Sequence, residues 1–232
     1  MKIWMFAAGV AACTSLQAYA QSADPEGIRA GAFLVKPSVT VSTGFDSNIF
    51  TSGDNEEGSF EASVEPRIQV QSDWNRHELQ LDAGASYNLF GSSSDDNAIN
   101  TDVGVTGVID VTRAFGILLG AGYQRVTEPR GEEDTGLALA EPVVSNSYSA
   151  NAGVDVVFGR FRVSPAAGVT IRDFKDADLT AGGVDNQDDR DRIEVGTTLE
   201  VGYAVQRGIE GFVRGQYDFS DYDQVLDDDG VN

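Results

Sequence analysis

Ile193-Glu194-Val195-Gly196-Thr197-Thr198-Leu199-Glu200-Val201-Gly202-Tyr203-Ala204-Val205 alternates almost without fault. Its odd positions carry Ile193, Val195, Thr197, Leu199, Val201, Tyr203 and Val205, and its even ones Glu194, Gly196, Thr198, Glu200 and Gly202. Successive side chains of a strand point to opposite faces, so the segment has one apolar and one polar face. A tilted strand of about 9–11 residues crosses the hydrocarbon of a bilayer.

The same pattern recurs along the chain. Phe33–Phe45 sets Phe33, Val35, Pro37, Val39, Val41 and Phe45 against Leu34, Lys36, Ser38, Thr40, Ser42 and Gly44. Phe60–Ser72, His77–Leu89, Tyr148–Phe158 and Phe161–Ile171 alternate cleanly, whereas Val103–Val111 and Phe115–Tyr123 are richer in glycine and less strict. Ile209–Phe219 is the weakest, with Phe212 on its polar face. With the opening segment this makes nine strands. The expected fold is all-β: an antiparallel up-and-down transmembrane β-barrel, here partial, spanning residues 21–232 after a leader.

Beyond residue 20 no run approaches the ~18 consecutive apolar residues of a transmembrane helix. A barrel escapes that requirement, because its ladder pairs the backbone and each strand needs apolar residues only toward lipid. Met1–Ala20 has Lys2, an apolar stretch from Ile3 to Ala12, and Ala18-Tyr19-Ala20, the order of a secretory signal peptide. Val10-Ala11-Ala12-Cys13 also resembles a lipoprotein cleavage box, but it would leave a very short leader, so cleavage after Ala20 is expected. Cys13 is the only cysteine, so the mature chain has no disulfide and no thiol chemistry.

Short turns at 73–76, 112–114, 159–160 and 206–208 take turns with long links at 46–59, 91–98, 126–147 and 173–191 and a tail from 220. Outer-membrane barrels have short periplasmic turns and longer extracellular loops. The first strand is therefore expected to run outward from the periplasm. Arg76, Arg113, Arg160 and Arg207 mark the short turns. Phe45, Phe60, Tyr87, Tyr123, Tyr148 and Tyr217 fall at the outer strand ends, with Phe33, Trp74, Phe115, Phe158, Phe161 and Tyr203 at the inner ends. Two such belts of amphipathic rings sit at headgroup level.

Several stretches carry a resemblance. They are Pro37 with Asp46-Ser47-Asn48-Ile49-Phe50, Glu65-Pro66-Arg67, Trp74-Asn75-Arg76-His77, Asp110-Val111-Thr112-Arg113 and Glu128-Pro129-Arg130. Across most of residues 28–222 the chain resembles a family of bacterial β-barrel porins, putative β-barrel porin 2, encoded near exopolysaccharide synthesis and export genes. The resemblance implies an outer-membrane barrel with a role in envelope polysaccharide traffic, and it transfers no binding residue. Members of that family look longer than this chain. An odd strand number and an acidic close, Asp227-Asp228-Asp229-Gly230-Val231-Asn232, lead to the expectation of a fragment. Pro37, Pro66 and Pro165 fall within strands, where each removes a ladder hydrogen bond, so bulges are expected there.

The formal net charge is −21, which disfavours nucleic acid as a partner. The acids gather in the expected outer loops: Asp54, Glu56 and Glu57; Asp95 and Asp96; Glu132, Glu133 and Asp134; Asp185, Asp188, Asp189 and Asp191; Asp221 and Asp223. They read first as a solvated, self-repelling set, and alternatively as divalent-cation sites assembled between loops and bridging to surface polysaccharide. The candidate lumen-lining charges, all on the polar parity, are Lys36, Glu61, Glu65, Arg67, Glu78, Asp82, Asp155, Arg162, Arg172, Glu194, Glu200 and Arg214.

Catalysis finds no inventory. His77 is the only histidine, and there is no His/Cys metal cluster or phosphate-binding glycine loop. No enzyme activity and no cofactor are expected. The first reading is a porin-like or export-associated channel of a Gram-negative outer membrane, inserted by the barrel assembly machinery and bathed by lipid. A non-conducting structural or adhesive barrel displaying acidic loops competes with it, and a secreted soluble β-sandwich is the third.

Overall fold

A computed structural model of the chain describes residues 27–50, 56–130 and 139–223. The leader with Cys13, Asp54, the Glu132-Glu133-Asp134 run and the terminal aspartates lie outside the described residues.

The strands are β1 (Ile28–Ala30), β2 (Phe33–Asp46), β3 (Ser59–Ser72), β4 (His77–Phe90), β5 (Ala98–Thr112), β6 (Phe115–Glu128), β7 (Val143–Phe158), β8 (Phe161–Phe174), β9 (Ala177–Asp178), β10 (Val184–Asp185), β11 (Arg192–Gln206) and β12 (Ile209–Tyr222). One ten-stranded sheet runs in the order β1-β2-β3-β4-β5-β6-β7-β8-β11-β12, and β9 and β10 form a hairpin apart from it. All pairings are antiparallel between chain neighbours, apart from β8–β11, which brackets the small hairpin. This is the up-and-down meander that alternation and short turns dictate. Among the described residues the long strands form one layer, with only the small β9–β10 hairpin against its loop end, which is not the two facing sheets of a sandwich. Among the described residues the sheet does not close, for β12 pairs only with β11.

The nine long strands are those expected from alternation, but they run further at the loop end, by three residues in β8 and β12 and most in β5, β6 and β7. β5 begins at Ala98, β6 ends at Glu128 and β7 begins at Val143, so much of the expected loop 126–147 is strand. Alternation fades there because Asn100, Asp102, Asn146 and Ser145 continue the ladder beyond the apolar zone. The short β1 was not expected; it folds back onto Phe33–Val35.

The prolines correct a second expectation. Pro37 pairs with Ile68 in unbroken register on β2. Pro66 and Pro165 leave gaps in the β3–β4 and β7–β8 ladders, yet register is the same on both sides of each gap. No residue is inserted at any of the three. A lost donor is absorbed by dropping pairs, which strains less than a bulge in a sheet whose register fixes both faces. The register shifts fall instead at the turn ends, between Asp110 and Thr112 and between Ala204 and Gln206.

The buried apolar side chains are Ala98, Leu139, Val143, Phe174 and Ala177, all at the loop end of the sheet. On the strands the apolar parity is bare: Val39, Val41, Leu199 and Val201 are all exposed.

Candidate functional site

The apolar face carries ring contacts that group the end-of-strand aromatics into two belts. At the loop end Phe45 packs edge-on to Phe60 at 5.1 Å, and Tyr123 lies 5.2 Å from Tyr148. At the turn end Phe33 meets Trp74 at 5.6 Å, and Phe161 sits between Phe158 at 5.7 Å and Tyr203 at 5.0 Å. Apart from Phe33 with Trp74, which lies in the β3–β4 turn, these rings are directly opposed partners on adjacent strands, which share a face. The Tyr123 hydroxyl donates to Asn146 Oδ1 at 2.9 Å, the polar tip such a belt keeps wet.

The polar face carries charge in a recurrent arrangement. Arg67 on β3 pairs in register with Gly84 on β4, which pairs with Asp102 on β5. With no side chain on the middle strand, the guanidinium crosses it and donates to both Asp102 oxygens at 3.0 Å, and also to Asp82. A Cβ at Gly84 would sit 2.8 Å from Asp102 Oδ1. The device recurs at the other side of the sheet. Arg162 on β8 pairs in register with Gly202 on β11, and its guanidinium reaches Glu210 on β12 at 2.8 Å. A Cβ at Gly202 would collide with that Glu210 carboxylate.

Arg162 is also a hub. It binds Glu200 at 2.8 Å and lies 3.8 Å from Asp155, which accepts from the Ser164 hydroxyl. Glu200 accepts from Arg214 Nε at 2.9 Å through its other oxygen. Nearer the loops, Arg172 and Arg192 share Glu194 at 3.2 and 2.7 Å. Each half-exposed pair contributes little alone, about 0–1 kcal/mol, but the planar forks hold fixed geometry.

The structure sets all twelve candidate charges on this one face by register. It joins Arg67, Asp82, Asp155, Arg162, Arg172, Glu194, Glu200 and Arg214 in ion pairs. Lys36, Glu61, Glu65 and Glu78 stand outside those networks; Glu65 accepts from Ser63 Oγ at 3.1 Å. Sequence reasoning passed over Asp102, Arg192, Glu210 and Asp218. Asp102 and Arg192 fall one residue outside the expected strands Val103–Val111 and Ile193–Val205, whereas Glu210 and Asp218, like Asp110, lie inside expected strands on the polar parity, where parity alone would have found them.

Hollows open on this face. One of about 610 Å³ runs along its turn half past Asp155, Arg162, Glu200 and Arg214. Another, of about 380 Å³, lies at the loop end among Asp46, Phe50, Glu61, Phe90, Asp96 and Arg130.

A cap of loops covers part of the loop end. Leu139, Val143, Phe174 and Ala177 form its core, with Leu179 against them. Val143 and Phe174 are the last polar-parity positions of their strands, so the cap is built over the polar face rather than outside it. Arg190, in a short 3-10 turn, stacks 4.1 Å over the Phe174 ring and reaches Glu128 on β6 at 2.7 Å. Arg130 bridges Asp96 at 2.6 Å, lies 4.8 Å from the Phe50 ring and donates to the Leu139 carbonyl at 3.2 Å. Asp191 accepts the Phe174 N–H at 2.6 Å. Burial, together with Asp173, Asp188 and Asp223 nearby, holds its carboxyl above the usual range against that bond.

No three His, Cys, Asp or Glu side chains converge as a metal centre among the described residues. His77 Nδ1 accepts the Asp110 N–H at 3.2 Å at the turn end.

A search of curated proteins found no match. The family model described as putative beta-barrel porin 2 matches residues 21–232. The two-faced meander, its aromatic belts and this match agree, and the chain belongs to that β-barrel porin family.

Proposed function

We propose that the chain forms the wall of a water-filled, porin-like channel in a Gram-negative outer membrane, linked to envelope or exopolysaccharide traffic. The observation that carries the reading is the polar face. Its arginines lie flat across glycines on neighbouring strands, which keeps charge against the wall and leaves hollows beside it. A face built to be sealed would be filled by interlocking side chains.

The family implies an outer-membrane location. In this reading Met1–Ala20 directs export, the barrel assembly machinery inserts the strands, and lipid covers the belts. The short turns then face the periplasm. The acidic loops meet surface polysaccharide outside, with divalent cations between them where carboxylates from different loops approach. The reading calls for no catalysis.

Purified protein that migrates heat-modifiably in detergent, added to a planar bilayer, should give stepwise conductance. A second reading, a non-conducting scaffold for surface loops, draws on the packed core of the cap. Proven insertion with a silent bilayer would favour it.

A further inference from the structure

We propose that this pore selects cations over anions, passing small cations and neutral solutes and turning back polyanions; the inference rests on the channel reading. It comes from which charges on the polar face are compensated.

Each arginine there is matched. Arg67 faces Asp82 and Asp102; Arg162 and Arg214 face Asp155, Glu200 and Glu210; Arg172 and Arg192 share Glu194. The first two groups each keep one carboxylate in excess, and the third, at the loop end, keeps one cation. Against that background Glu61, Glu65, Glu78, Asp110 and Asp218 have no cationic partner among the described residues, and Lys36 is the unmatched cation on the polar strand parity. Arg113, in the β5–β6 turn, and Arg125 also line hollows without an ion pair among the described residues, so five acids stand against three cations.

The unmatched acids are spread along the path rather than gathered in one place. Glu78 and Asp110 lie at the turn end, Glu65 at mid-strand, and Asp218 and Glu61 toward the loops. An ion crossing the wall therefore meets negative potential at each level. The polar-parity strand arginines Arg67, Arg162, Arg172, Arg192 and Arg214 do not cancel it, because their guanidinium donors are already turned onto carboxylates. A groove lined by one sign of charge concentrates the opposite ion, and the effect weakens as salt shortens the screening length from about 10 Å at 0.1 M to about 3 Å at 1 M.

The test is the reversal potential of single channels in a potassium chloride gradient. Potassium should be favoured over chloride, with the ratio falling toward one as salt is raised. Glu65→Gln, Glu78→Gln, Asp110→Asn and Asp218→Asn touch no ion pair, so each should insert normally and lower the ratio. The four together should bring it close to one. Lysine at the same four positions should invert it. A wild-type ratio at or below one, or a ratio unmoved by the fourfold variant, would overturn the inference while leaving the channel intact. Inserted protein with no conductance would instead overturn the channel reading, and this inference with it.

Discussion

The cap and the wall are made from one chain for two different solvents. The cap is organised as a water-soluble protein is. Val143 is fully buried and Phe174 only 6% exposed, and the buried polar residues around them are hydrogen-bonded. The wall inverts this, leaving Phe60 74% and Leu199 48% exposed on its apolar face. Its polar face meanwhile carries the ion pairs. An exposed leucine is unremarkable alone, but a whole strand parity of them is not. The difference teaches that burial cannot identify the core of this molecule: lipid completes the wall, whereas the cap completes itself.

The sharpest break between the two regions is Phe174→Ala. Removing a buried phenylalanine costs about 3–5 kcal/mol. The loss should be confined to the cap, so trypsin should cut at Lys175 and Arg190 while heat-modifiable migration survives. If the wall falls with it, the two regions are not separate. Leu199→Arg attacks the other solvent, because a cation at the lipid midplane costs roughly 2–4 kcal/mol. Outer-membrane recovery should drop sharply, whereas Thr198→Arg, one position along on the polar face, should assemble. Equal damage from both would mean that the faces are wrongly assigned.

Gly84→Val is milder. Its side chain would enter the space where Arg67 meets Asp102, costing about 1 kcal/mol of a half-exposed bridge. The midpoint of heat modification should fall by a few degrees, while Gly104→Val, with open space above it, should cost less. The smallest effect is electrostatic. The Asp191 carboxyl is raised above its ordinary value of 3.8, so its stabilising share is present below that value and is lost as pH rises through the raised one. The protection factor of the Phe174 N–H, taken relative to the intrinsic exchange rate at each pH, should therefore be larger near pH 4 than near pH 7. Asp191→Asn should flatten that slope. A slope of the opposite sign would show that the neighbouring acids do not act as described.

Much of the wall was legible because a period of two is a strong signal wherever one side of a strand meets lipid. Ile193–Val205 announces its faces, and the belt aromatics mark where the lipid ends. Beyond the lipid the signal fades for a physical reason, since both faces of β5 and β7 are then wet. That is why Asp102 was missed, although it shares the parity of Gly104 and Thr106. The bridges were illegible in a different way. Alternation assigns Arg67 to a face, but only register sets Gly84 between it and Asp102. The cap offered almost no pattern, because Leu139, Phe174, Ala177 and Leu179 are scattered through polar loops and meet only after the strands are paired.

The two arginine crossings have a mechanical side. Arg67 ties β3 to β5 and Arg162 ties β8 to β12, each passing over the strand between. Both ties run around the circumference, in the direction of the backbone ladder and across the strand axes. An outer membrane stretched by swelling loads a barrel in this hoop direction. Each tie spans two seams at once, so opening either seam must stretch it. Sliding one strand along its neighbour loads the same tie only obliquely. The wall is thereby stiffened against widening more than against shear, and under tension across the strands it should yield first by slippage of register.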